Sequence, residues 1–223
     1  MLRILFIISE DWYFVSHRLY LAKVAINSGY KVALLSHFTN HREIIEAEGI
    51  KTIAWPLNRS SRNLYKEIEA IKSIVYTIRQ FKPSLIHSVA MKPVIYSAIA
   101  CNLSGLKSRI FALAGLGFVF TSNKRSAKIL RPFLKVIFSL LFKGKKTKLI
   151  LQNPDDQRQL LSKGVINPKN IRLIRGAGVD TKTFSFKTIP SNMPIIILPS
   201  RMLWSKGIQD FIDCANKINK KEI

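Results

Sequence analysis

Acidic residues are scarce in this chain: 13 Asp and Glu stand against 36 Lys and Arg in 223 residues, a formal net charge of +23. The shortage is uneven. No acid occurs between Glu69 and Asp155, a stretch that holds Lys72, Arg79, Lys82, Lys92, Lys107, Arg109 and a basic cluster from Lys124 to Lys148. Such a surface draws polyanions, whether nucleic acid, anionic headgroups or diphosphates. With so few acids there is no D-x-D pair to hold a metal-bound nucleotide. Asp155 and Asp156 are adjacent, but "NPDD" reads as an Asn N-cap, a first-turn proline and two acids set against the helix dipole, so no metal and no cofactor is expected. Cysteine is nearly absent. Cys101 and Cys214 make neither a disulfide framework nor a thiolate metal spacing, which fits a reducing compartment. Glycine is missing where a dinucleotide site needs it: "SEDWYFVSHR" follows the first apolar run, so the G-x-G-x-x-G loop that lets backbone approach a pyrophosphate is not there. That argues against a nicotinamide or flavin dehydrogenase, and no Walker-type loop replaces it. The charge comes without RNP-like aromatics, a zinc pattern or a clear recognition helix, so no nucleic-acid partner is expected.

Long apolar runs are also lacking. The N-terminal "MLRILFIISEDW" has one short run and no A-x-A-like site, and reads as a first strand rather than a signal peptide. The middle of the segment from Lys124 to Lys148 is apolar nearly all round but is interrupted by Arg131 and Lys135, too short and too charged to span a bilayer. It reads either as an interfacial helix, with Lys143, Lys145, Lys146 and Lys148 toward anionic lipid, or as a core helix with a basic rim.

What the chain does have is alternation. Continuous apolar or β-branched runs recur at Ile4–Ile8, Val32–Ser36, Thr52–Trp55, Leu85–Val89, Arg109–Ala114, Lys148–Gln152, Ile171–Ile174 and Ile195–Leu198. Helical spacing lies between them, as in Val15, Leu19, Ala22 and Ile26, closed by Gly29, and in Leu64, Ile68, Ile71, Val75 and Ile78. This predicts an α/β fold, a doubly wound Rossmann-like parallel sheet. Residues 1–178 form the first domain, 179–193 a linker without periodicity, and 194–223 a strand, an Arg–Lys turn and one helix, the start of a second Rossmann-like domain that one such unit cannot complete.

Ligands of such sheets bind at the carboxyl ends of the strands. His17, early in the first helix, lies near that crevice and can take a proton from a hydroxyl, or is simply a helix-surface histidine. His87, inside "LIHSV", is a second candidate base or a hydrogen-bonded core histidine. Lys92 opens the helix after that strand and can meet an anion there. Gly115 and Gly117 in "ALAGLGF" permit close approach of a substrate, or make a turn. Arg201 and Lys206, between an apolar run and a new helix, offer a way to hold a diphosphate.

Taken together, "WYFVSHRLYLAKVAINSGYKVALLS", "LIHSVAMKPVIYSAIACNLSG", "ALAGLGFVF", "LIRGAGVDTKTF" and "ILPSRMLWSKGIQDFIDCA" resemble the family-4 glycosyltransferases of GT-B fold, in the branch that assembles polysaccharides and lipid-linked oligosaccharides. The resemblance implies a retaining transferase that uses a nucleotide sugar and a polysaccharide or polyprenyl-diphosphate-linked acceptor. It places that enzyme in the cytoplasm, peripheral at the inner membrane face. It implies that Arg201 and Lys206 bind the donor diphosphate and that His17 serves the acceptor side. The family's strand-four motif often has two histidines; here the first is His87 and the second position is Val89. The family's Glu, seven residues, Glu motif lies beyond Ile223, so the sequence is expected to be cut short early in the donor domain. A non-catalytic acceptor-domain subunit that needs a separate donor-domain chain is the other expectation.

Overall fold

The computed structural model describes residues 1–57, 63–115, 132, 136–139, 142, 144–162, 164, 166–186, 195–200 and 202–220, the side chains of 205, 219 and 220 apart. The chain divides into two compact units, Met1–Gly178 and Val179–Ile223.

The first unit is built on seven strands: β1 (Arg3–Glu10), β2 (Lys31–His37), β3 (Lys51–Ala54), β4 (Leu85–Val89), β5 (Arg109–Leu113), β6 (Thr147–Leu151) and β7 (Ile171–Leu173). They form one sheet in the order β3-β2-β1-β4-β5-β6-β7, every pairing parallel. The order reverses between β1 and β4, the switch point where a crevice opens. Helices α1 (Asp11–His17), α2 (Leu19–Asn27), α3 (Arg42–Ala47), α4 (Leu64–Phe81), α5 (Met91–Leu103) and α6 (Pro154–Ser162) connect the strands.

The apolar runs are continuous because both faces of the sheet are covered. Leu5 and Ile7 of β1 pack with Ala70, Ile74 and Ile78 of α4 and Cys101 of α5. Ile4, Phe6 and Ile8 point the other way, toward Phe14 of α1, Ala22 of α2 and Ile45 of α3. Farther along the sheet, Phe111, Leu113, Leu149 and Leu151 pack with Phe138, Phe142 and Leu160. Buried polar groups are tied in: Ser88 donates to Ser97 Oγ at 2.7 Å, and Trp55 Nε1 to the Ala70 carbonyl at 3.0 Å. Asn153 caps α6, its Oδ1 accepting from the Asp155 amide at 2.8 Å, so the acids of "NPDD" serve the helix end.

The structure corrects the sequence reading twice. The apolar pattern from Val15 to Ile26 is two helices, not one: Arg18 (φ −134°, ψ −13°) ends α1 and caps α2. Its N–H still bonds Phe14 and its carbonyl still receives Ala22, so the 3.6-residue spacing runs through the break and hides it. In the second unit, Ile195–Leu198 is not a strand. A strand is held by its neighbours, and this unit supplies no other strand among its described residues; Ile195, Ile196 and Ile197 stay exposed. What does form there is a short turn at Trp204–Lys206 and one amphipathic helix, α7 (Ile208–Lys220).

Candidate functional site

The carboxyl ends of β1, β4 and β5 meet at an open cleft of about 200 Å³ lined by Ile8, Ser9, Glu10, Trp12, Tyr13, Val89, Ala90 and Ala114. The floor is aliphatic. Ser9 and Glu10 bring polar atoms, and Trp12, 45% exposed, brings a free aromatic surface. This combination of apolar ring faces and a few hydroxyl-binding groups suits a sugar ring. Ala90 ends β4 with φ 78° and ψ 161°, a backbone that residues other than glycine rarely adopt, and its N–H donates to the Ala112 carbonyl at 3.0 Å.

The start of α1, which carries Trp12 and Tyr13, is fixed by Asp11. Its fully buried carboxylate accepts from the Trp12 amide (2.8 Å), the Thr39 amide (2.7 Å) and hydroxyl (2.8 Å), and the His41 amide (3.0 Å). Burial by itself raises the Asp11 pKa, but the donors from Thr39 and His41 outweigh it and hold the carboxyl below its ordinary value. Asp11 thereby clamps the start of α1 to the loop after β2.

The anticipated residues fall in different places. His17 is the last residue of α1, exposed, its ring stacked on Tyr13 (4.2 Å between centroids, 5° between planes) and its Nδ1 sharing a 2.6 Å hydrogen bond with Ser16 Oγ. It joins the cleft only through Tyr13. His87 is inside the sheet, 4% exposed and edge-on to Phe6. Burial first, then the charge of Arg18, push its pKa down to about 3, so it is neutral, and it is not among the residues that line the cleft. Lys92 is not free to meet an anion: Nζ donates to Glu67 Oε1 at 2.7 Å, and the Tyr96 hydroxyl takes the other oxygen. Gly115 follows Ala114 at the cleft; Gly117 lies outside the described residues. Lys145 and Lys146 are exposed and precede β6, at the amino end of the sheet, the opposite edge from the cleft. Lys148 donates to the Lys169 carbonyl at 2.9 Å, and Lys143 and most of the segment from Lys124 to Lys148 lie outside the described residues. In the second unit Lys206 is exposed and stands two residues before α7, beyond a Gly207 at φ 71°; Arg201 lies outside the described residues. Among the described residues no cluster of three His, Cys, Asp or Glu could hold a metal ion. No helix there is long and apolar enough to cross a membrane.

Sequence reasoning missed Glu10, Asp11, Trp12, Tyr13 and Arg18. Their signal was position: they are the first residues after an apolar run in a parallel sheet.

The fold and the cleft at its switch point define an α/β ligand-binding domain of the doubly wound class. The glycosyl transferase 4-like family model matches residues 3–153, and the chain belongs to that family. It is 22% identical over 186 residues to the N,N'-diacetylbacillosaminyl-diphospho-undecaprenol alpha-1,3-N-acetylgalactosaminyltransferase of Campylobacter jejuni, covering 78% of this chain and 49% of that protein. The chain therefore spans about half the length of this curated relative. Among solved structures it is similar in fold to a glycosyltransferase of Rickettsia africae, with a TM-score of 0.69, 19% identity, and coverage of 100% of this chain and 59% of that one. Acinetobacter baumannii MurG matches with a TM-score of 0.54 at 13% identity, over 82% and 47% of the two chains.

Proposed function

We propose that this chain works in glycosyl transfer, moving a sugar from a nucleotide-sugar donor to a saccharide carried on a polyprenyl diphosphate or in a polysaccharide. The observation that carries the reading is the cleft at the β1–β4 switch point, where an aliphatic floor, the Trp12 face, Ser9 and Glu10 suit a pyranose. Membership of the glycosyl transferase 4-like family and the acceptor in the name of the Campylobacter relative support it. In the reaction the bond from the anomeric carbon to the donor phosphate breaks, a bond from that carbon to the acceptor oxygen forms, and negative charge gathers on the departing diphosphate. Arg201 and Lys206 are the groups proposed to neutralise that charge. On the acceptor side Glu10 and Ser9 hydrogen-bond sugar hydroxyls, Trp12 and the Tyr13–His17 stack hold its apolar face, and Gly115 and Gly117 leave room beside it. Retention of configuration follows from the family resemblance.

The test is sugar transfer by the full chain from a panel of UDP- and GDP-activated sugars to short-chain prenyl-diphosphate-linked N-acetylsugars, with products identified by mass. Transfer or donor hydrolysis that falls at least tenfold in the double variant R201A/K206A is expected, each charge-assisted contact being worth about 1.5–3 kcal/mol. Turnover indifferent to both substitutions removes the diphosphate assignment.

A cytoplasmic, peripheral position at an anionic membrane is proposed on the charge. Basic side chains near an anionic surface contribute about 1 kcal/mol each within a Debye length. Replacing Lys143, Lys145, Lys146 and Lys148 with Gln should release the protein from phosphatidylserine-containing vesicles. Equal sedimentation of the variant would locate the membrane contact elsewhere.

A further inference from the structure

Among the described residues of the first unit two arginines are buried, and their surroundings differ sharply. Arg109, 7% exposed, donates Nε to Thr147 Oγ1 at 3.0 Å, and Nη1 to the Ala98 carbonyl at 3.2 Å and Asn102 Oδ1 at 2.7 Å. Arg18, 8% exposed, donates Nη1 to the carbonyl of its neighbour His17, at 2.8 Å, and its buried Nε has no partner among the described residues. Beyond burial, the Tyr13 phenol, and no carboxylate among the described residues, acts on its charge. A guanidinium taken out of water without a counter-charge is held at a large desolvation cost, which an anion would offset.

A second buried nitrogen without a partner among the described residues lies within reach of its charge. His87 has its Nε2 buried and unpartnered, and the charge of Arg18 acts on the ring. Phe6 links the two: its ring lies 5.4 Å from that of His87 and 5.6 Å from that of Phe14, whose carbonyl receives the Arg18 amide at 2.8 Å. The pair lies one layer behind the cleft. His87 and Val89 project from the same face of β4, two residues apart, and Val89 lines the cleft, as does Tyr13, the phenol that acts on Arg18.

We infer that Arg18 and His87 form an oxyanion subsite behind the cleft wall, and that it takes a phosphate group. Resting on the glycosyl-transfer reading, that phosphate is one of the acceptor's diphosphate, whose attached sugar occupies the cleft. The Arg18 fork supplies the charge and parallel N–H donors that match phosphate geometry. His87 uses its other ring nitrogen to donate to the Ile110 backbone carbonyl, so its Nε2 carries no proton while the ring is neutral. An arriving phosphate favours protonation there, the proton coming from solvent, and Nε2–H then donates to the phosphate oxygen. Glu10 is the one acid among the cleft's described lining residues.

The test uses the full chain with R201A and K206A, which removes the other proposed diphosphate contacts. The ¹⁵N-labelled protein is titrated separately with inorganic pyrophosphate, farnesyl diphosphate and acetate, following the Arg18 Nε–H and His87 Nε2 resonances. Saturable movement of both with the two diphosphates but not acetate, with Nε2 becoming protonated, is expected. Arg18→Gln should weaken the affinity at least about tenfold, and Arg18→Lys less. Tighter binding of farnesyl diphosphate than of pyrophosphate supports the lipid-linked source, and the reverse order overturns it in favour of a free anion. No movement of either resonance with either diphosphate overturns the subsite. That reading comes from the native Arg18, so it holds even if the Gln variant does not fold. It also needs no transfer activity, so loss of the glycosyl-transfer reading and loss of this subsite are separate results.

Discussion

Asp11 is the residue on which the shape of the cleft loop depends most directly. Four donors from the β1 and β2 loops converge on it in a buried position, and hydrogen bonds to a charged group are worth about 1.5–3 kcal/mol. Asp11→Asn keeps the size but turns N–H groups toward donors, and a loss of about 2–3 kcal/mol in urea unfolding at pH 7 is expected. The pH dependence has a definite sign. The folded carboxyl titrates below its unfolded value of 3.8, so its stabilisation is complete above that value and is lost as the pH falls through the folded one. The gap between wild type and Asp11→Asn should be constant from pH 5 to 7 and close below about pH 3.8. His87 gives a second window. It binds its proton near pH 6.5 when unfolded and only near 3 when folded, so between those values the unfolded state holds more protons and stability rises with pH. The slope reaches about 1.4 kcal/mol per pH unit and levels off above pH 6.5. His87→Leu should remove it from unfolding curves taken between pH 4 and 6. An unchanged slope in that variant means His87 is not the buried neutral group described.

At the scale of elements, most of the sheet was legible because its strands are buried on both faces and appear as plain apolar runs. Leu85–Val89 is read to the residue, and Ile4–Ile8 and Val32–Ser36 lie inside β1 and β2. The same signal misled at Ile195–Leu198, since hydrophobicity gives a segment a reason to pair but not a partner to pair with. The split between α1 and α2 left no trace because the backbone bonds from Arg18 to Phe14 and from Ala22 to Arg18 carry the helical spacing across it. The site residues were half legible. The histidines and lysines drew attention as chemical types, yet His87 is buried and Lys92 is held by Glu67, while Trp12 and Tyr13 were assigned no role. Stability should follow the same division. Val179–Ile223 holds one α-helix and no strand among its described residues, so its amides, including those of α7, should exchange much faster than those of β1 and β4. Equal protection in the two units, read by hydrogen-exchange mass spectrometry, would show that the second unit is stabilised as firmly as the sheet.

At the scale of the whole molecule, part of the described positive charge lies at the end of the sheet away from the cleft. The described cleft opens at the carboxyl ends of β1, β4 and β5, with Glu10 and Asp11 beside it, while Lys82, Lys107, Lys145, Lys146 and Lys169 occur in the segments that lead into β4, β5, β6 and β7 at the amino end. Part of the net charge of +23 therefore sits away from the cleft, which is why composition alone pointed to polyanions without locating a ligand. The central claim is that the cleft holds the saccharide of the acceptor. It is tested most directly by saturation-transfer NMR of a farnesyl-diphosphate-linked N-acetylsugar against the full chain, comparing wild type with Trp12→Ala and Glu10→Ala. Saturation of the sugar-ring protons in the wild type, reduced at least fivefold in each variant while both stay folded by circular dichroism, is the expected result; sugar-ring saturation unchanged in both variants would contradict the account.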